Sequence, residues 1–208
     1  MRHVNWTVTG HRGAMWIGVA LAIGWSSRAA WGPWPAAGQQ RLAPPPPACT
    51  AERRATPSET EGPYYKPGSP ERTSLVDPNM AGVRLILSGY VLSRGACVPV
   101  ERAWLDFWQA NDQGEYDLAG FRLRGHQFTD RAGVYSLETI IPGLYPGRTR
   151  HIHVKVRAPN GPVLTTQIYF PGEPRNQSDW IFNASLLANV RDTAAGRAAT
   201  FNFIVEAR

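Results

Sequence analysis

The chain has 208 residues, enough for one domain with a substantial core and a tail. Its net charge of +6 is unevenly placed, because residues 1–50 hold Arg2, Arg12, Arg28 and Arg41 and no acid, while acids and bases mix beyond them. No basic stripe remains in the body of the chain, which argues against a nucleic-acid partner, and two cysteines are too few for a thiolate zinc site or an iron–sulfur centre.

Taken in chain order, Arg2, His3, His11 and Arg12 precede the apolar run AMWIGVALAIGW, and small residues follow in SSRAAWGPWPAAG. That is the order of a secretory signal, with an apolar run too short for a standard membrane span. The expectation is a signal peptide over residues 1–37, or an uncleaved signal anchor. The protein is then exported, to the periplasm or beyond the cell, and meets a membrane only if that segment is retained. Residues 38–55 read as a Pro-rich, extended linker. Residues 56–208 form the expected folded domain. Cys49 and Cys97 are a candidate disulfide, in keeping with export, although sequence leaves their geometry open.

From residue 83 onward the chain alternates short strands and turns. VRLILSGYVL (83–92), RAWLDFWQA (102–110), GVYSLETI (133–140), RHIHVKV (150–156), VLTTQIYF (163–170) and TFNFIVEA (200–207) are rich in β-branched and aromatic residues. NDQG, DRAG, PGLYPG and PNG supply the turns between several of them. Alternation in the second strand sets Ala103, Leu105 and Phe107 against Trp104, Asp106 and Trp108. Residues 178–192, SDWIFNASLLANVRD, read as the one helical stretch, capped at Ser178 or Asp179. The pattern predicts an all-β sandwich of mixed sheets with one short helical segment.

One strand raises a chemical question. His151, His153 and Lys155 share one face of RHIHVKV, and Ile152, Val154 and Val156 share the other. The apolar trio suits the core, which turns the histidines toward a cleft, a ligand or water. Two histidines alone do not make a metal site, and an exposed polar strand face explains a bare His-x-His. Tyr116, after the NDQG turn, and Tyr145, in PGLYPG, are further donors. A tyrosine on a turn is often merely solvated. As a ligand it must lose a proton whose ordinary pKa is about 10, which a strongly charged cation promotes. Phenolate is a hard anionic donor and suits ferric iron.

TPSETEGPYYKPGSP, WLDFWQANDQGEYD, GFRLRGHQFTDRAGVYSLETIIPGLYP, RTRHIH and LTTQIYF follow one another in that order. From Thr56 to Phe170 the chain resembles the intradiol ring-cleavage dioxygenases, the family of catechol 1,2-dioxygenase and protocatechuate 3,4-dioxygenase. The export segment suggests a secreted branch. The resemblance implies a non-haem Fe(III) held by Tyr116, Tyr145, His151 and His153, with a small catecholic aromatic and O2 as reactants. It implies that the substrate displaces Tyr145, which takes up a proton, and that the ring opens to a cis,cis-muconate-type product. Arg148 matches the arginine beside the substrate ring, and Gln167 the glutamine near the ligands. Tyr64, Tyr65 and Pro67 fall in the segment that covers the pocket. Arg150 departs from the family, which more often has a small residue before the first histidine, and its alternation points it to the opposite face from His151. His126 matches no ligand and reads as a structural or surface residue rather than a general base. Which catechol is cleaved, and whether the chain forms a homo-oligomer, stay open at this level.

DRAGVYSLETIIPGLY also resembles transthyretin-like and carboxypeptidase-regulatory modules, which bind or pack without chemistry. Such a module has no reason to combine Tyr116 with His151 and His153. A zinc or copper site on the two histidines is disfavoured by the phenols and by the lack of a conventional third donor.

Overall fold

The computed structural model describes residues 54–207. Among these residues nine strands form two sheets. Strands β1 (Arg84–Ser93), β2 (Trp104–Trp108), β3 (Arg124–Phe128), β4 (Val134–Ile140), β5 (His151–Arg157) and β6 (Leu164–Tyr169) precede β7 (Asn189–Thr193), β8 (Gly196–Thr200) and β9 (Phe203–Val205). The first sheet has the order β4-β1-β8-β7, with β9 also pairing β1. It is mixed, since β1 runs antiparallel to β4 and parallel to β8 and β9. The second sheet, β3-β2-β5-β6, is antiparallel throughout.

The core lies between the sheets. Leu85, Leu87, Val91 and Leu137 from the first meet Leu105, Phe107, Ile152, Val154, Val156 and Ile168 from the second. These are alternate residues along their strands, so the period of two selects one face of each sheet for burial. Tyr135 carries its hydroxyl into this core and satisfies it on Phe201 O at 2.8 Å.

One expectation needs correction. Residues 178–192 do not form a helix. Asp179 spends its carboxylate on Ile181 N (3.0 Å) and Thr149 N (2.8 Å), and Asn183 accepts from Ser185 N. Only short 3-10 turns form, Pro174–Gln177 and Ala184–Leu186, and Leu187 then bridges Tyr169 at the edge of β6 before the chain enters β7. Local side-chain bonds and edge pairing therefore override the apolar period. Strands β3 and β8 also had no sequence signal: RGHQF and GRAAT hold only one β-branched or aromatic residue each.

The expected signal segment, most of the linker and Cys49 lie outside the described residues. Cys97 is described, with a positive φ of 55° on the turn after β1, and none of the described cysteines is free. Among the described residues no helix is long and apolar enough to cross a membrane.

Candidate metal centre

Strand register lays side chains in rows across the outer face of the second sheet. One row reads Arg124, Trp108, His153, Gln167, and the next reads His126, Asp106, Lys155, Thr165. His151 and Tyr169 pair just beyond the first. The alternation in β5 therefore falls as the sequence suggests, with Ile152, Val154 and Val156 in the core and the histidines opposite.

The outer face is nevertheless dry: His151 is 4% and His153 3% exposed. Their Nε2 atoms approach to 3.1 Å. His151 Nδ1 donates to Thr149 O at 2.6 Å, which leaves the lone pair on its Nε2. The His153 ring lies flat on Trp108, with centroids 4.8 Å apart, and its Nδ1 is buried without a hydrogen-bond partner. Burial, then the Arg148 charge, pushes the His151 pKa down to about 4. Burial, then His151, Arg148 and Arg124, pushes His153 well below the usual imidazole range. Both rings are thus held neutral, the form that binds metals. Two metal–nitrogen bonds of about 2.1 Å at a right angle place their nitrogens about 3.0 Å apart, so the pair fits two neighbouring positions on one ion.

No third His, Cys, Asp or Glu joins them among the described residues. The remaining donors are phenols on two turns. Gly114 (φ +86°) ends the first turn so tightly that a Cβ there would lie 2.2 Å from Leu144 O, and Gly143 N donates to Asn111 O at 2.7 Å. A side chain at Gly114 would force the two turns apart. The close approach brings Tyr116 and Tyr145 together, edge to face with centroids 6.0 Å apart. Tyr116 lies 6.2 Å from His153 and Tyr145 6.4 Å from His151, centroid to centroid. Burial pushes the Tyr116 pKa well above the phenol range, with Arg148 and Arg124 pulling the other way. A cation between these groups would oppose the burial penalty. Two imidazoles and two phenols make a hard-to-borderline donor set that fits ferric iron.

Arg148 is buried beside this group. Its Nε donates to Asp179 (2.9 Å), and its Nη2 donates to Gln167 Oε1 (2.7 Å) and Tyr169 Oη (3.3 Å). Gln167 is fully buried and donates in turn to Thr60 O at 2.9 Å. Burial pushes the Asp179 carboxyl up, but hydrogen bonds from Thr149 N–H, Ile181 N–H and Arg148 outweigh it and hold it below the ordinary range. Arg150 does point elsewhere, to Glu173 at 2.8 Å and to Pro142 O.

Residues 56–72 run across the outer face and close it. Glu59 N bonds Thr165 O (2.9 Å), Lys155 pairs with Glu61, and the position of a Cβ on Gly62 would be 3.5 Å from His153. Tyr64 stacks on Tyr116 with centroids 4.5 Å apart and meets Tyr145 edge-on at 5.7 Å. Tyr65 lies in the next row: its ring packs on Trp108 and its hydroxyl donates to Asp106 at 3.1 Å. Pro67 is exposed. His126 bonds Ser69 O through Nδ1 (2.7 Å), a bond that fastens the covering segment. Tyr64 alone of the three pocket candidates is thus in contact with the phenols. Asp179, Thr149, Tyr169 and Trp108 belong to the site and were missed by sequence reasoning. Trp108 did fall on the right face, but Asp179 is 31 residues from Arg148 and no local pattern links them.

A family model described as Dioxygenase matches residues 60–207. The catechol 1,2-dioxygenase of Acinetobacter baylyi is 31% identical over 159 residues, covering 62% of this chain and 50% of that protein. The chain belongs to the intradiol ring-cleavage dioxygenase family. The hydroxyquinol 1,2-dioxygenase of a Rhizobium species is 30% identical over 178 residues, 72% of this chain and 60% of that one. Among solved structures, the dioxygenase domain of a dioxygenase–carbohydrate-binding protein fusion from Streptomyces sp. SirexAA-E is 57% identical. It superposes with a TM-score of 0.73 and covers 74% of this chain and 100% of that chain. The chain spans about half the length of the catechol 1,2-dioxygenases it matches first.

Proposed function

We propose that the chain cleaves a catechol-type ring between its two hydroxyl-bearing carbons with O2, giving a cis,cis-muconate-type product. In this reading a non-haem ferric ion is held by Tyr116, Tyr145, His151 and His153. The observation that carries it is the convergence of two buried, neutral imidazoles at 3.1 Å inside a ring of phenols. A packing or binding module has no use for that arrangement.

Bound there, the ferric ion would act as a Lewis acid on the catecholate and make its ring reactive toward O2. The protein's own residues do the rest. Tyr145 Oη, on its turn beside the half-buried Tyr64, takes a proton released by the catechol. Arg148, fixed by Asp179 and Gln167, presents a charge that does not have to reorganise when negative charge develops on the ring. Gln167 is a positioning residue, since one end holds Arg148 and the other the covering segment. Residues 59–65 exclude water from the histidine face. The signal-like order of residues 1–37 supports an exported enzyme.

Oxygen uptake by the iron-loaded protein with catechol, followed together with product absorbance in the ultraviolet, tests the reading. One O2 consumed per muconate-type product is expected. Iron-loaded, folded protein that consumes no O2 with catechol, hydroxyquinol or protocatechuate would overturn it.

A further inference from the structure

Arg124 begins the row that continues through Trp108 to His153, yet neither the donor set nor Arg148 accounts for it. It is 1% exposed and forms no salt bridge among the described residues. Its Nε and Nη2 both donate to Asp117 O, at 3.1 and 3.0 Å, and its Nη1 is buried with no partner. A buried cation outside any close ion pair is costly, so its retention calls for a reason. The Asp117 carboxylate attracts it but makes no ion pair with it, since its oxygens accept from Ala119 N (3.0 Å), Gly120 N (2.8 Å) and Arg122 N (2.8 Å).

Asp117 follows Tyr116 directly, so the Arg124 fork holds the backbone one residue beyond the Tyr116 ring. The rest of the loop is fastened from the covering segment. Lys66 Nζ donates to Ala119 O (2.6 Å) and Gly120 O (3.2 Å), and Arg72 donates to Phe121 O and Arg124 O. Three cations thus hold one loop by its carbonyls, and only Arg124 does so from within the donor row. We infer that Arg124 is a positioning residue for Tyr116: its fork on Asp117 O fixes the direction of the phenol beside His153. The inference rests on the ferric reading above.

The test compares wild type, Arg124→Gln and Arg124→Lys, each loaded with iron and titrated with a chelator while the visible spectrum and thermal melting are followed. Loss of an outer residue that orients a ligand costs about 10- to 100-fold in metal affinity. Arg124→Gln is expected to fall in that range with a displaced charge-transfer band, and Arg124→Lys, which keeps the charge but not the fork, to lie between it and wild type. A folded Arg124→Gln with wild-type affinity and an unmoved band overturns the inference. If Arg124→Gln does not fold, Arg124→Lys decides by the same criteria. If neither folds, Arg124 serves the sheet and not Tyr116, and the inference fails. A wild type with no visible band removes the ferric reading itself, a result distinct from any of these.

Discussion

On the inner face of β5, Ile152, Val154 and Val156 are fully buried against the other sheet; on the outer face, His151 and His153 are almost as dry beneath residues 56–72. The inner residues are buried by sheet-on-sheet packing, which is non-directional and tolerant of changes that preserve volume. The outer residues are each held by a named partner: His151 by Thr149 O, His153 by the Trp108 ring, Lys155 by Glu61. Degree of burial does not separate core from site here. The separating feature is a polar cover that ties itself to the sheet through Asp106, which accepts from Ser69 Oγ at 2.7 Å and from Tyr65.

If the two faces have these separate roles, substitutions on the outer side should alter iron and turnover, and those on the inner side only stability. The largest effect is expected for Tyr116→Phe, which removes one of two phenolate donors and should cost at least about 100-fold in iron retention and weaken and move the visible band. Metal analysis and a visible spectrum check it, and unchanged colour would remove Tyr116 from the ligand set. Arg148→Ala should keep iron and colour while kcat falls by about 10²- to 10³-fold. Its melting temperature should also fall, because the buried Asp179 loses its cation. Full turnover would end the electrostatic role of Arg148. On the inner face, Ile152→Val should cost about 0.5–1.5 kcal/mol in denaturant unfolding and leave the spectrum unmoved. A shifted band would mean that the faces are not separate. The smallest effect is expected for Lys155→Met, which frees the cover at Glu61. Because Glu61 is partly exposed, the pair contributes at most about 1 kcal/mol, so KM should rise by no more than about fivefold. Steady-state kinetics on iron-loaded protein measure it.

Much of this division was legible in the sequence, because period-two alternation in RHIHVKV assigns the two faces directly. The same rule grouped Trp108 with Asp106 on one face of β2, apart from Leu105 and Phe107, and the structure makes that face the outer one. Strands with β-branched or aromatic residues were also legible. Strand β3 was not, since its inner face holds Gly125 and Gln127 and its outer face carries His126, whose partner Ser69 is distant in sequence. The expected helix at 178–192 failed for a related reason. Asp179 is committed to Arg148 and Thr149, and a carboxylate spent on tertiary bonds gives no local signal of its use. Arg124 went unread because an arginine in sequence is by default a surface residue, and only the register of β2 with β3 shows it entering the donor row.

The central claim is that the outer face of β5 holds a phenolate-bound ferric ion on which a catechol chelates. The most direct test is the visible spectrum of purified, iron-loaded protein before and after anaerobic addition of catechol. A broad phenolate-to-iron charge-transfer band that moves when the substrate is added is expected. A protein that binds no iron, or stays colourless with iron bound, would contradict it.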